Sequence, residues 1–413
     1  MMSGLVVIGA SYAGVQGALS ARDAGYSEPI TLVADEQWLP YQRPPLSKDF
    51  LVDLATEESL VLRDKTFFAG KGIELLLGVR ATDIDRRSRK VVLDGHSRLA
   101  FDKLLIGTGS RARRLSVPGA DLHGVSYLRT MQDAIDLKAS LQRASEIVVV
   151  GGGFIGLEVA ASACKLGKKI TVLEGASRLL ERAVSPIVSE FLLDMHLRKG
   201  VDVRLGESVV SIEGQSGHVT SVSCKNRAPI QADLVLVGVG GLPNDQIAAD
   251  AGLSCSNGIA VDDHGRSSDP DIFAAGDCAT HYNGFASGWL RLESVQNAQD
   301  QAKAAGLAIA GSTGPYATVP RFWSDQYDTK LQIVGISRNF DDHAIRGSID
   351  EGKFSVFYYR QGKLVAVDSL NRAGDQMAAR RLIAAGTSPS PDQIRDMSFD
   401  FKSLLKPATG AGI

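Results

Sequence analysis

The sequence predicts an α/β chain built on two copies of one strand–turn–helix–strand unit and followed by an α+β C-terminal segment. Three observations carry this. Two apolar runs short enough for buried parallel strands, Leu5–Ile8 and Ile147–Val150, each enter a glycine-rich turn and then a helix-forming stretch, 15–24 and 157–166. A second strand-like run follows each helix, Ile30–Val33 and Lys169–Leu173, and ends at an acid, Asp35 or Glu174. From about Pro315 onward the runs Gln332–Ile336, Phe354–Tyr359 and Leu364–Asp368 are divided by Gly-containing turns, the pattern of antiparallel strands, and a helix is predicted over 374–385.

The two turns read Gly9-Ala10-Ser11-Tyr12-Ala13-Gly14 and Gly151-Gly152-Gly153-Phe154-Ile155-Gly156. In a turn of this spacing the first glycine permits the tight bend and the second lets backbone approach a pyrophosphate. The third lets helix and strand pack closely, and the phosphates rest on the free N–H groups of the helix start. Gly151, Gly153 and Gly156 match fully. Gly9 and Gly14 match, while Ser11 stands at the middle position, where its hydroxyl can donate to a phosphate. Asp35 lies 21 residues past Gly14 and Glu174 lies 18 past Gly156; the dinucleotide fingerprint places its ribose-binding acid about 20 residues on. One such motif is weak in a glycine-rich chain. Two in the same context predict two Rossmann-like dinucleotide-binding domains and two cofactors facing each other, FAD and a nicotinamide. Glu36 is an alternative to Asp35, because the strand end is open by a residue. Glu174 favours NADH, since its carboxylate accepts from both ribose hydroxyls and repels the 2′-phosphate of NADPH. Arg178 and Arg182 nearby leave some NADPH use open.

Composition narrows the function classes. The 413 residues carry 45 Lys+Arg against 47 Asp+Glu, a net charge of −2, which argues against a general nucleic-acid binder. Glycine numbers 43, about 10% against about 7% in average usage, and part of the surplus lies in the turns above. The four cysteines, Cys164, Cys224, Cys255 and Cys278, form no CxxC and no Cys/His cluster. That predicts no metal site, no resident iron–sulfur cluster and no local redox disulfide, and suits a cytoplasmic protein. The first strand begins at Leu5, so no signal or transit peptide is expected, and no apolar run reaches membrane-spanning length. The last eight residues are expected to fray.

Further motifs then carry a resemblance. Asp271-Ile272-Phe273-Ala274-Ala275-Gly276-Asp277 resembles the segment by which flavoproteins with two dinucleotide-binding domains hold the FAD ribityl chain. Leu105-Ile106-Gly107-Thr108-Gly109 resembles their Ala-Thr-Gly motif, with Gly107 where alanine is usual. Tyr41-Gln42-Arg43-Pro44-Pro45-Leu46-Ser47-Lys48 resembles the signature of the NADH-dependent ferredoxin reductases of oxygenase systems, the putidaredoxin, rhodocoxin and biphenyl dioxygenase ferredoxin reductase family. The likeness continues through Tyr127–Thr130, Leu180–Arg182, Glu293–Val295 and Phe322–Gln326 and covers nearly the whole chain.

The resemblance implies a glutathione-reductase-like fold, with an FAD domain at 1–115 and 243–315, an NAD domain at 116–242 and a C-terminal domain at 316–413. It implies that Gly9, Ser11, Ala13 and Gly14 cradle the FAD pyrophosphate and that Asp35 takes the adenosine ribose. Ala81 would offer main-chain contacts to the adenine, Arg129 and Asp277 would contact FAD, and Val295 would lie by the pyrimidine end of the flavin. Lys48 would reach the isoalloxazine near N5 and hold Glu158, which would position the nicotinamide carboxamide. Gly151, Gly153, Ile155, Gly156, Glu174 and Arg182 would line the NADH site. The residues alone also admit plainer roles: a surface lysine for Lys48, a helix-face carboxylate for Glu158, a salt-bridge partner for Arg129, core packing for Val295, a helix N-cap for Asp277. Trp323 reads as well as a core tryptophan as an aromatic near the flavin.

Hydride transfer from nicotinamide C4 to flavin N5 needs stacked rings and excluded water more than acid–base catalysis. With no cysteine pair to receive them, electrons must leave for an external acceptor. The family implies a [2Fe–2S] ferredoxin serving a cytochrome P450 or Rieske oxygenase. It is expected to dock near the FAD and C-terminal domains, helped by basic residues such as Arg321, Lys330, Arg338 and Arg346, with the reductase a monomer or weak homodimer. A reductase of rubredoxin, quinone or monodehydroascorbate on the same fold is one alternative. A flavoprotein acting as an interaction or DNA-binding module is another.

Overall fold

The computed structural model describes residues 3–225 and 227–405; the C-terminal stretch expected to fray lies outside them. The chain forms two compact units. One gathers the residues up to Pro45, Ala55–Ala112 and Gly241–Thr318; the other gathers Leu46–Leu54, Arg113–Gly240 and the residues from Val319 on.

In the first unit, the strands Ile73–Leu77, Ile30–Ala34, Gly4–Ile8 and Arg98–Ile106 lie side by side and parallel, and Ile272–Ala274 extends the sheet along Arg98–Ile106. The register Ile8↔Ile106 and Leu5↔Ile30 aligns the apolar runs. Both faces are covered, so the strands need no polar alternation. Leu5 and Val7 enter one core with Ala18, Phe273 and Ala302, while Val6 and Ile8 enter the other with Val91, Ile106 and Ile272. The helices Tyr12–Asp23 and Val295–Ile309 approach closely: a Cβ on Gly306 would stand 2.5 Å from the Gly17 carbonyl oxygen. Lys90–Leu93 and Ala81–Asp85 continue the sheet antiparallel. The short strand Ile259–Val261 pairs with Ala279–Asn283 outside the main sheet.

In the second unit, a parallel sheet runs Asp202–Leu205, Lys169–Glu174, Glu146–Val150, Leu234–Val237, Val125–Ser126. The strand Leu234–Val237 stops where Gly238 N–H donates to the Val150 carbonyl and the chain turns. The C-terminal residues form a five-stranded antiparallel sheet ordered Arg321–Gln326, Thr329–Gly335, Lys363–Leu370, Lys353–Arg360, Asp342–Ser348, with the helix Ala373–Ala384 packed on it. Its core is Phe354, Phe357, Tyr358 and Leu370, all fully buried. Among the described residues no helix is long and apolar enough to cross a membrane.

Candidate dinucleotide sites and the Lys48–Glu158 pair

Each glycine turn is built as its pattern requires. Gly9 has φ +105°, and a Cβ there would lie 2.2 Å from the Gly107 carbonyl oxygen. A Cβ on Gly14 would lie 1.7 Å from the Gly9 oxygen. The second turn repeats this: Gly151 at φ +109° stands against Gly238, and a Cβ on Gly156 would come 2.2 Å from the Gly151 oxygen. Gly153 is different. Its extended backbone suits any residue, and a Cβ there would meet nothing nearer than the Gly238 oxygen at 3.8 Å. The chain's own packing gives no reason for that glycine, so the free space fits a pyrophosphate.

The helix starts agree. Ser11 and Gly153 precede the helices Tyr12–Asp23 and Phe154–Lys165, and neither supplies a side-chain cap. Thr130, Ser185 and Ser294 each cap theirs. The two helices that follow glycine turns therefore keep first-turn N–H groups for an anion.

Around the first turn, Asp35 follows the strand Ile30–Ala34 and pairs with Arg80 at 3.1 Å, both side chains more than half exposed. Glu36 is engaged: Tyr41 Oη donates to it at 2.6 Å and Arg43 Nη2 at 2.6 Å. This leaves Asp35 the more accessible acid for a ribose. Arg43 Nε also lies 3.3 Å from Ser11 Oγ, which sets a guanidinium at the middle position of the first fingerprint. Sequence reasoning assigned Arg43 no role, although it stands inside the quoted Tyr41–Lys48 signature. Asp277 lies in a turn and not at a helix start, which removes the N-cap alternative. Ser110 Oγ donates to it at 3.0 Å, and the preceding Gly276, at φ +84°, lies against Ala13 in the first turn of the fingerprint helix. Ala81 opens the strand Ala81–Asp85, and Val295 opens the helix Val295–Ile309, partly buried.

In the second unit, Glu174 ends its strand and binds backbone with both oxygens: Gly152 N–H donates at 2.6 Å and Ala176 N–H at 2.7 Å. The acid thus shapes the phosphate turn itself. Arg178 is committed to the carbonyls of Val184 at 2.7 Å and Glu181 at 2.6 Å. Arg182 is exposed, near Gly240. Ile155, in the first helical turn, is 41% exposed, an apolar face beside the pyrophosphate position. Arg129 is partly buried, its N–H donating to Asp133 in the Thr130 capping box.

Glu158 sits in the same helix and is 5% exposed. Its carboxylate accepts Lys48 Nζ at 2.9 Å, Ser47 Oγ at 2.5 Å and Ser324 Oγ at 2.7 Å. A carboxylate this buried needs such partners. Two separate stretches supply them, 47–48 and the strand Arg321–Gln326, and Ser324 is one that sequence reasoning missed. Phe322 packs on Phe154 with ring centroids 4.4 Å apart. Trp323, on the opposite face of that strand from Ser324, is partly buried and opposite Gln332.

One expectation is corrected. Arg346 is not a surface cation. It is 5% exposed, donates to the carbonyls of Ile394, Asp396, Met397 and Phe399, and lies 3.6 Å from Asp375. Lys330 and Arg338 are exposed.

Two Rossmann-like turns, terminal acids and a Lys–Glu pair with a buried carboxylate define a flavin- and nicotinamide-dependent oxidoreductase. Comparison with known proteins makes this specific. Residues 3–302 match the pyridine nucleotide-disulphide oxidoreductase family and residues 321–405 the reductase C-terminal family. Rhodocoxin reductase of Rhodococcus erythropolis is 43% identical over 97% of this chain and 94% of its own. Among solved structures, the ferredoxin reductase for the CYP199A2 system from Rhodopseudomonas palustris matches with TM-score 0.95 and 42% identity, covering 97% of this chain and 99% of that one. The reductase in the covalent putidaredoxin reductase–putidaredoxin complex matches with TM-score 0.94 and 38% identity, covering 98% of each. The chain belongs to the ferredoxin reductases of the pyridine nucleotide-disulphide oxidoreductase family, enzymes that use FAD and NAD(H). Unlike what that family name suggests, all four cysteines here are free.

Proposed function

We propose that this enzyme takes two electrons from NADH and passes them singly to a [2Fe–2S] ferredoxin that serves a cytochrome P450 or Rieske oxygenase. The balance is one NADH and two oxidised ferredoxins giving NAD⁺, one proton and two reduced ferredoxins. Bound FAD supplies the conversion of a hydride into single electrons. The residues do the rest. Gly9, Ser11, Ala13, Gly14 and Arg43 take the FAD pyrophosphate, Asp35 its ribose, and Ala81, Arg129, Asp277 and Val295 its remaining length. Gly151, Gly153, Ile155 and Gly156 take the NADH pyrophosphate, with Glu174 and Arg182 along the adenosine half. Lys48 brings positive charge to the reacting edge. Glu158 holds Lys48 and accepts from the nicotinamide carboxamide.

The observation that carries this reading is the Lys48–Glu158 pair, its carboxylate buried beside the second fingerprint and its lysine partly buried, in a chain without a redox cysteine pair. A charge pair largely taken out of water at a dinucleotide site is better explained by positioning than by stability, since burial offsets most of its Coulomb gain. The relative captured with putidaredoxin supports a ferredoxin partner. The domain limits 1–115 with 243–315, 116–242 and 316–413, a cytoplasmic location and a monomer or weak homodimer belong to the same reading.

Steady-state NADH oxidation with a panel of acceptors tests it: a [2Fe–2S] ferredoxin, rubredoxin, a quinone, monodehydroascorbate and oxygen. The ferredoxin should give the highest kcat/KM. A rubredoxin, quinone or monodehydroascorbate turned over faster would favour the first alternative. Binding to DNA without turnover on any acceptor would favour the second.

A further inference from the structure

Behind Glu158 a single file of buried polar side chains runs through the second unit. Ser324 Oγ lies 2.7 Å from Glu158 Oε1, Gln326 Nε2 3.1 Å from Ser324 Oγ, and His196 Nε2 2.9 Å from Gln326 Oε1. Tyr327 Oη then lies 3.2 Å from His196 Nδ1. Ser324 and Gln326 are each 1% exposed and His196 is fully buried. Tyr327 ends the file at a surface cavity of about 400 Å³ that it lines with Cys164, Lys165, Lys199 and Asp328.

The direction of every hydrogen bond in the file follows from its end. An ionised carboxylate only accepts, so the one Ser324 proton points to Glu158. The Ser324 oxygen must then accept from the Gln326 amide, which turns the Gln326 carbonyl toward His196. That carbonyl requires a proton on Nε2, and Nδ1 is left to accept from Tyr327. Burial lowers the His196 pKa, which keeps the ring neutral and lets it donate on one side and accept on the other. All donors therefore point toward Glu158, and bonds aligned in this way polarise one another.

We infer that Ser324, oriented by Gln326 and His196, is a positioning residue that fixes the Glu158 carboxylate for the nicotinamide carboxamide. The inference rests on the role proposed for Glu158. Lys48 and Ser47 come from one stretch, 47–48, and Ser324 comes from the C-terminal sheet. Without Ser324 the carboxylate is held from one stretch only and is free to turn. The effect should fall on recognition of the carboxamide and spare coenzymes that lack its N–H donor.

The test is single-turnover reduction of the holoenzyme by NADH and by reduced 3-acetylpyridine adenine dinucleotide, whose acetyl group has no N–H to offer. In Ser324→Ala the apparent Kd for NADH should rise about tenfold, the worth of one charge-assisted hydrogen bond. The limiting rate should change less, the acetylpyridine coenzyme should be unaffected, and Ser324→Thr, which keeps the hydroxyl, should restore NADH. Equal losses with both coenzymes, or none with either, overturn the inference. Glu158→Ala, which removes the acceptor, separates the two layers: a wild-type Kd for NADH there overturns the role of Glu158 and this inference with it, whereas a loss there without one in Ser324→Ala overturns the inference alone. Nitrogen NMR of the histidine-labelled wild-type enzyme gives a reading that needs no variant. His196 should be the Nε2–H tautomer, and the Nδ1–H tautomer would contradict the file's direction.

Discussion

Two alanine substitutions three residues apart should separate folding from coenzyme binding. In Gly156→Ala the new methyl would lie 2.2 Å from the Gly151 carbonyl oxygen. That is more than 1 Å inside even a close C···O contact of about 3.3 Å. The obstacle is backbone, so the fingerprint turn must shift, at a cost of about 1–3 kcal/mol or more. In Gly153→Ala the methyl would have 3.8 Å to the nearest atom, and the backbone there is already extended. The chain should fold as well as before, or gain about 0.4–1 kcal/mol from a less flexible unfolded state. The methyl would instead occupy the space where the pyrophosphate meets the helix start. Displacing one charge-assisted hydrogen bond costs about 1.5–3 kcal/mol, roughly ten- to hundredfold in Kd. Urea unfolding and NADH titration of both variants decide the matter. Gly156→Ala should lose stability and Gly153→Ala should lose only NADH affinity. Wild-type NADH affinity in Gly153→Ala, or a stability loss equal to that of Gly156→Ala, would refute the assignment of that space to the pyrophosphate.

Other expectations follow from single contacts. Glu174→Ala removes the acceptor of the Gly152 and Ala176 N–H groups, so NADH affinity should fall about tenfold or more. NADPH should gain little because Arg178 is committed to two carbonyls; a strong NADPH preference on coenzyme titration would contradict this. Arg346→Met strips a buried cation from four carbonyls and Asp375 and should cost about 3–5 kcal/mol in urea melts. Lys330→Glu, on an exposed residue, should leave stability nearly unchanged and alter the salt dependence of ferredoxin reduction. Burial pushes the Asp368 carboxyl up to about 7, where Tyr358 Oη donates to it at 2.7 Å. The folded protein then holds a proton that the unfolded chain releases near pH 4. Stability should therefore decline as pH rises from about 4 to about 7 and level off above. Asp368→Asn should flatten that decline, and melting curves from pH 5 to 8 that stay parallel to wild type would contradict it.

The parts legible in the sequence are those where backbone geometry restricts residue choice. Gly9, Gly14, Gly151 and Gly156 are demanded by carbonyls standing where a Cβ would go, so their spacing announces the turn. The strands read best were apolar on both faces. Arg321–Gln326 and Asp342–Ser348 escaped notice because polar residues break their alternation and neither forms an apolar run. Arg346 was misread because charge in a sequence carries no burial: the carbonyls that enclose it lie about 50 residues further on. Ser324 was legible only as part of a quoted motif. Its role depends on which face of a polar strand meets the Phe154–Lys165 helix, and the strand's own pattern does not decide that. Glu158 and Lys48, 110 residues apart, were joined in advance by family resemblance and not by any periodicity.

The central claim is that two electrons from NADH leave this enzyme singly to a ferredoxin. An anaerobic stopped-flow experiment with holoenzyme, limiting NADH and excess [2Fe–2S] ferredoxin counts them directly. Two ferredoxins should be reduced for each NADH consumed, with the flavin absorbance lost on adding NADH and regained as ferredoxin is reduced. Flavin absorbance that stays bleached in the presence of oxidised ferredoxin would contradict it.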